Sequence, residues 1–381
     1  MRASGTTPGL GALDRPMSAA RPLLFVLVPY AQEAGALVSP YYDTPEFRAD
    51  VAGWIAPAEA DWEWVVVTGA RVADEVLRIA RAGRERPVAV VNLCDGDDMN
   101  GYPGLSVVSA LEAAGIAFTG ADSAFYMVST SKLAMKRRFA AAGVATAPWV
   151  EIADPDPDLR RAGAVLGFPM FLKPDVSFGS AGITLRSVIH DHAAGLRQVA
   201  ALLAGMHGCR FARGGIYAEP FLAGQEYTAL VSGDAGAPGG IRVLRPCERV
   251  FHPALPPEER YLTFERYCEE YDQDPPPPPD GPYYRYAPVD GARAAAIVSL
   301  SERAYRVLGG CGYARVDLRT SAADGSLYVL EVNANCALSS DDTSTAGAIL
   351  AVSGSTMVEF IGEALRDAWR RSLRSVRKAL Y

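Results

Sequence analysis

Tyr313-Ala-Arg-Val-Asp-Leu-Arg-Thr-Ser-Ala-Ala-Asp-Gly-Ser-Leu-Tyr-Val-Leu-Glu-Val-Asn333 is the stretch on which the reading of this chain turns. Two segments of alternating character flank Asp324-Gly325, a strong hairpin signal. Side chains two apart on a strand share a face. Arg315 and Asp317 therefore point one way on the first strand, and Glu331 and Asn333 one way on the second. Asp317 and Glu331 are equidistant from residue 324, so the pairing predicts that they sit opposite each other. Two carboxylates and an amide oxygen on one face make a hard, oxygen-only site. Mg²⁺ favours such a site, held by few protein ligands with phosphates completing its shell. The competing reading is a surface hairpin with ordinary charges. Against it, like charges placed opposite are destabilising without a cation, and Leu330 and Val332 on the other face imply a packed sheet.

Working outward, a basic group precedes the hairpin. Lys173 ends the apolar run Phe168-Pro-Met-Phe-Leu-Lys-Pro174 and is followed by Asp-Val-Ser-Phe-Gly-Ser-Ala-Gly182. A strand, a lysine and a small-residue loop can grip phosphates through backbone N–H groups and a point charge. No Gly-Lys-Ser/Thr follows, so this is not a P-loop. Lys132 and Lys136 are four apart on one helix face, where a solvated surface explains them equally well. Ile216-Tyr-Ala-Glu-Pro-Phe-Leu-Ala-Gly-Gln-Glu226 reads as strand, linker, strand. The linker can offer backbone groups to an adenine edge, and Glu226 can accept from ribose hydroxyls. It also reads as a plain turn with exposed acids.

The 381 residues allow two or three domains. A net charge of −7 argues against a primary nucleic-acid binder. Six scattered cysteines without C-x-x-C read as reduced cytosolic thiols, hence a cytoplasmic setting. No apolar run reaches a membrane-spanning length. Residues 1–20 read as a disordered tail. Short buried strands at Leu23–Val28, Trp64–Thr68 and Val88–Leu93, with a helix at Val72–Ala82, predict a parallel α/β domain over 21–124. The turn-rich loop 94–104 follows the third of these strands, where open α/β sheets bind ligands. A helix spans Gly104–Ala114, and Ser131–Ala142 reads as another, capped by Ser129, Thr130 or Ser131. Strands are expected at 169–173, 183–188, 215–219, 226–232 and 241–245. Residues 250–290, with Pro275–Pro279, read as a long irregular region with local polyproline II form. A helix at 291–308 precedes the hairpin.

Taken in order, these blocks resemble the ATP-grasp superfamily, most closely its D-alanine–D-alanine ligase branch. The residues that carry the resemblance are Phe118-Thr-Gly-Ala-Asp122, Ser131-Lys-Leu-Ala-Met-Lys136, Ala147-Pro-Trp-Val150, the Lys173 strand, Glu219-Pro-Phe-Leu-Ala-Gly-Gln-Glu226 and the hairpin Gly312 to Asn333. The match spans roughly 90–350. It implies an α/β fold, α+β in the ATP-binding part: an N-terminal parallel α/β domain (21–124), a central subdomain (125–222) and a C-terminal subdomain (223–381) carrying the hairpin and the insert 250–290. It implies that Lys136 and Lys173 hold the ATP phosphates under a loop containing Ser180. Glu219 and Leu222 would frame adenine, and Glu226 the ribose. Asp317, Glu331 and Asn333 would bind Mg²⁺, and Arg315 would stabilise an oxyanion. The implied activity is an ADP-forming ligation of a carboxylate to an amine, both small molecules, and the family favours a homodimer without nucleic acid or membrane partners.

Where the family holds its substrates, this chain departs from the pattern. The family's Gly-Gly-x-Ser-x-Glu after the first strand is replaced by Pro29-Tyr-Ala-Gln-Glu-Ala-Gly35. After the metal-binding asparagine, Ala334-Asn-Cys-Ala337 replaces Thr-Ser-Pro-Gly, leaving the Ala337 N–H for the oxyanion. The substrate-gripping serine falls near Asp342, and the substrate-loop lysine near Arg266. These changes predict the same chemistry on other substrates, in specialised metabolism or peptide tailoring. Asp95, Asp97, Asp98, Asp341 and Asp342 are expected to gather at the substrate mouth and favour an amine-bearing partner, or else to form a solvated acidic loop. Two alternatives accompany this reading: an intramolecular cyclase, and a nucleotide-binding subunit without catalysis. The basic C-terminal helix (Arg366, Arg370, Arg371, Arg374, Arg377, Lys378) reads as a solvated face or dimer edge.

Overall fold

The computed structural model describes residues 20–379 apart from 34–35, 41–42 and 269–273. The tail expected over 1–20 lies outside the described residues, Ala20 excepted. Leu23–Pro29 is buried along its whole length and pairs in parallel with Asp61–Val67 on one side and Val88–Asn92 on the other. Burial on both faces is why its sequence is continuously apolar instead of alternating. Ala117–Phe118 completes this four-stranded sheet. The helix Val72–Ala82 forms over the residues expected, and Leu105–Ala113 forms within one residue of expectation at each end.

A second, antiparallel sheet orders Val150–Ile152, Ile216–Pro220, Met170–Pro174 and Val188–Ile189. It packs Met170, Leu172 and Ile216 against Leu159, Val199 and Leu202 from two helices, a core of its own. The strand expected over 183–188 is not formed. Thr184 instead caps a single turn at Leu185–Ser187, and only Val188–Ile189 pairs.

The third sheet runs Tyr284–Pro288, Cys247–Phe251, Glu226–Asp234, Cys311–Thr320 and Leu327–Ala334, with Ile241–Val243 also on Glu226–Asp234. The irregular reading of 250–290 is therefore corrected in part. Cys247–Phe251 and Tyr284–Pro288 pair along five residues, and Phe264–Cys268 is helical between them. The middle of that insert, 269–273, lies outside the described residues.

The helices Ser123–Thr130 and Lys132–Ala141 send Phe125, Met135 and Phe139 into one core with Phe25, Val90, Val316 and Val332. Residues 125–144, expected with the central subdomain, thus pack between the first and third sheets. The long helix Met357–Ala379 buries Phe360, Ile361 and Leu365 beside Val26, Trp54 and Ile55. Its Arg371 donates to the carbonyls of Phe118 (3.0 Å) and Gly120 (2.8 Å) and pairs with Asp367, so that arginine is not solvated. Arg374 pairs with Asp234; the side chains of Arg377 and Lys378 lie outside the described residues. All six cysteines are free. Among the described residues no single helix is long and apolar enough to cross a membrane.

Candidate active site

The hairpin pairs as its symmetry predicts: Asp317 lies opposite Glu331, and Arg315 opposite Asn333. Gly325 turns the chain at φ 70°, which a side chain there would resist. Two carboxylates this close need compensation, and it is supplied. Arg315 donates from Nε to both oxygens of Asp317 (3.0 and 2.9 Å), and Thr228 donates to Oδ1 (2.9 Å). Asn333 Nδ2 bridges Asp317 Oδ2 (2.9 Å) and Glu331 Oε1 (3.1 Å). Lys132 Nζ stands 3.4 Å from Glu331 Oε2. Burial alone would raise the pKa of Glu331, but Lys132, Lys173 and Arg315 outweigh it and draw it down to about 2. The oxygen donors of Asp317, Glu331 and Asn333 form one small polar face on the cleft wall, the donor chemistry a divalent cation requires.

The lysines are arranged differently from expectation. Lys136 is 1% exposed; its ammonium meets Glu219 Oε2 at 2.6 Å, Ala147 O at 2.9 Å and Thr146 Oγ1 at 3.2 Å. It does not line the cleft. Lys132, one turn earlier, does, and reaches Ser177 as well as Glu331. The reason lies in Asp175, which accepts from Ser131 Oγ and from the Leu133 N–H (2.7 Å). This pins the start of the Lys132–Ala141 helix to the end of the Lys173 strand and points Lys132 at the hairpin. Nothing in the periodicity distinguished the two lysines.

Glu219 is buried between Lys136 and Lys173, each 2.6 Å from one of its oxygens. Burial raises its pKa, yet the two ammonium groups hold it below the usual carboxylate range. Its side chain is thus engaged by two ammonium groups and is not free to frame a base. An aromatic slot lies beside it. Phe171 and Phe221 stack at 6.0 Å, Tyr261 meets both edge-on, and Leu222 lines the same wall. Glu226 is flanked by Arg249 and Arg319, the latter at 3.1 Å, and Arg249 lies over the rings of Tyr284 and Tyr286. This guanidinium pair was not anticipated, because Arg249 stands in a strand the sequence did not reveal.

Ser180 lines the cleft in a left-handed conformation, φ 59°. Asp95, Asp97 and Ala337 line it too. Burial pushes the Asp95 carboxyl up to about 7, and among the described residues no cation pairs with it. Asp97 is bound by Asn100, whose Nδ2 donates at 2.7 Å. The remaining acids do not gather there. Asp98 caps the helix at Leu105, accepting from the Ser106 N–H; Asp341 accepts from Thr343; Asp342 is exposed outside the cleft lining. Arg266 is also away from the cleft. Its side chain is buried, donating to Glu259 and to the carbonyl of Tyr261 (3.3 Å), with Tyr283 stacked on it. Asn335, which the sequence reading passed over, lines the cleft and accepts from the Ala121 N–H at 2.7 Å.

Solved D-alanine–D-alanine ligases share this architecture. The ligase from Bacillus anthracis, solved with ATP, superposes with a TM-score of 0.62 over 94% of this chain and all of its own, at 14% identity. The enzyme from Coxiella burnetii gives 0.62 over 94% and 98%, at 13% identity. The chain has the ATP-grasp fold of the D-alanine–D-alanine ligases. A family model described as the D-ala D-ala ligase C-terminus matches residues 254–362, which takes in the whole hairpin 311–334. A D-alanine–D-alanine ligase of Bordetella petrii is 28% identical over 273 residues, 72% of each chain. One from Laribacter hongkongensis is 30% identical over 226 residues, 59% of this chain and 62% of its own.

Proposed function

We propose that the chain is an ATP-dependent, ADP-forming carboxylate–amine ligase that acts on amino-acid-like substrates other than two D-alanines, in specialised metabolism. One observation carries the reading: the Asp317–Glu331–Asn333 face, Lys132, Lys173 and the aromatic slot all open onto one cleft. In this reading 21–124 supplies the substrate side, and 125–222 and 223–381 clamp ATP between the second and third sheets. Free thiols throughout agree with a cytoplasmic setting.

The chemistry follows from charge. A carboxylate is a poor acyl donor because oxide would have to leave. Its oxygen attacks the γ-phosphorus of ATP, ADP departs, and an acyl phosphate results. An amine then attacks the carbonyl carbon, the C–N bond forms, and phosphate leaves as the C–O bond breaks. Lys132 and Lys173 orient the phosphates and offset their charge; positioning and electrostatics do most of the work in phosphoryl transfer. Asp317, Glu331 and Asn333 would hold Mg²⁺, which would supply charge neutralisation on the transferring group. Arg315 pairs with Asp317 through Nε and Nη2 and lines the cleft, where its guanidinium would stabilise the oxyanion. Losing one such donor typically costs about 3 kcal/mol of barrier.

Support for changed substrates comes from the substrate side itself. The exposed Asp342 replaces a carboxylate-gripping serine, and Arg266 is consumed within the insert. The test is a phosphate-release screen of carboxylate–amine pairs with products identified by mass. We expect release with an amino-acid pair other than two D-alanines and a product lighter than its two substrates by one water. Preference for two D-alanines overturns the substrate proposal, and a product formed from one substrate alone points to cyclisation. Asp317→Asn should abolish release while leaving the fold intact.

A further inference from the structure

The loop from Pro174 to Leu185 crosses the phosphate side of the cleft with Gly179, Ser180 and Gly182 at φ 54°, 59° and 83°. A serine in that region is disfavoured by roughly 1 kcal/mol, so contacts from outside the loop must hold the shape. They come from two elements. The Gly182 N–H donates to His207 Nδ1 at 3.1 Å. The His207 ring lies flat on Phe264, centroids 4.0 Å apart and planes 7° from parallel. Phe264 N–H returns to the loop at Ile183 O (3.0 Å), and Tyr261 Oη donates to Thr184 O (2.9 Å). Histidine, insert and loop thus close a ring of contacts. Gly182 itself is packed tightly, since an added Cβ would lie 2.9 Å from Pro174 Cγ and 3.0 Å from Phe211. His207 does not line the cleft.

We infer that His207 is a positioning residue, whose neutral imidazole accepts the Gly182 N–H and, braced by Phe264, holds the phosphate-side loop in its working shape. The nucleotide part of this rests on the function proposed above; the bracing does not. A ring nitrogen accepts only while it carries no proton. Burial lowers the pKa of His207 from its ordinary 6.5, with Glu265 and Asp274 of the insert opposing that fall. Cys209 on the histidine's own turn has its pKa pushed up to about 11 and stays neutral. The folded pKa therefore lies below the unfolded one. The hold is complete above pH 6.5 and is lost as pH falls through the depressed value.

Hydrogen exchange of residues 177–184 in the ligand-free protein, corrected for intrinsic rates, tests this between pH 5 and 8. In the wild type, protection should drop below pH 6.5. His207→Phe keeps a ring for stacking but offers no acceptor, and should exchange roughly fivefold faster at pH 7.5 with no step. His207→Asn tolerates the positive φ of 55° and keeps an acceptor; it should remain protected and lose the pH step. MgATP affinity should weaken in parallel in His207→Phe and little in His207→Asn. Wild-type protection in His207→Phe, or a pH step surviving in His207→Asn, overturns the inference. Should His207→Phe fail to fold, the step in His207→Asn decides alone. Absence of MgATP binding in every form would instead strike the proposed function, while the exchange data still decide the bracing.

Discussion

At the scale of the residue, two lysines one helical turn apart carry different duties. Lys132 faces the hairpin, whereas Lys136 is locked on Glu219 in the interior. Lys132→Met should raise the KM for ATP roughly tenfold, as expected for loss of a charged hydrogen bond, with little change in melting temperature. Lys136→Met should do the reverse, lowering stability by about 3 kcal/mol, because a buried carboxylate loses one of its two partners. Thermal unfolding and steady-state kinetics on the pair separate these outcomes; equal KM effects would remove the distinction. The sequence held the acids, lysines and arginine of the cleft in readable order, since hairpin symmetry and motif order are local properties. It could not separate Lys132 from Lys136, because both lie on the same helix face and the choice is made by Asp175, more than forty positions away in the chain. Asn335 escaped notice for the same reason, its partner Ala121 lying 214 positions away.

At the scale of the element, strands with strong apolar character were legible and polar ones were not. Leu23–Pro29 announces itself. Cys247-Glu-Arg-Val-Phe251 and Tyr284-Arg-Tyr-Ala-Pro288 do not, because their outward residues serve the cleft and charge interrupts the pattern. One strand contact sets a strict limit. Gly312, at φ 75°, sits so close to Gly120 that an added Cβ would lie 2.0 Å from the Gly120 carbonyl oxygen. Gly325, at φ 70° on the hairpin turn, has open space around it. Gly325→Ala should therefore cost only the backbone penalty of about 1 kcal/mol. Gly312→Ala should cost about 3 kcal/mol or more, because backbone must move. Denaturant unfolding of both variants checks the contrast, and similar midpoints would refute the close approach.

Across the whole molecule, the first and third sheets share two apolar cores, whereas the second sheet keeps its own. In the proposed ATP clamp, the second sheet is therefore expected to move against a body formed by the first and third sheets. Small-angle scattering with and without a non-hydrolysable ATP analogue should show a smaller radius on binding. Hydrogen exchange in the first and third sheets should stay unchanged, and loosening there would place the hinge elsewhere. The parallel first sheet was legible in its short apolar strands, whereas the three-part division was only implied by the family resemblance. The fusion of the outer parts was not legible, because it depends on contacts spanning hundreds of residues.

Arg371 has a consequence for synthesis. The carbonyls of Phe118 and Gly120 wait for a guanidinium about 250 residues downstream. While the ribosome is still making the middle of the protein, the first sheet has neither that partner nor the apolar side of the terminal helix. The first sheet can therefore reach its finished packing only once the helix Met357–Ala379 has been made.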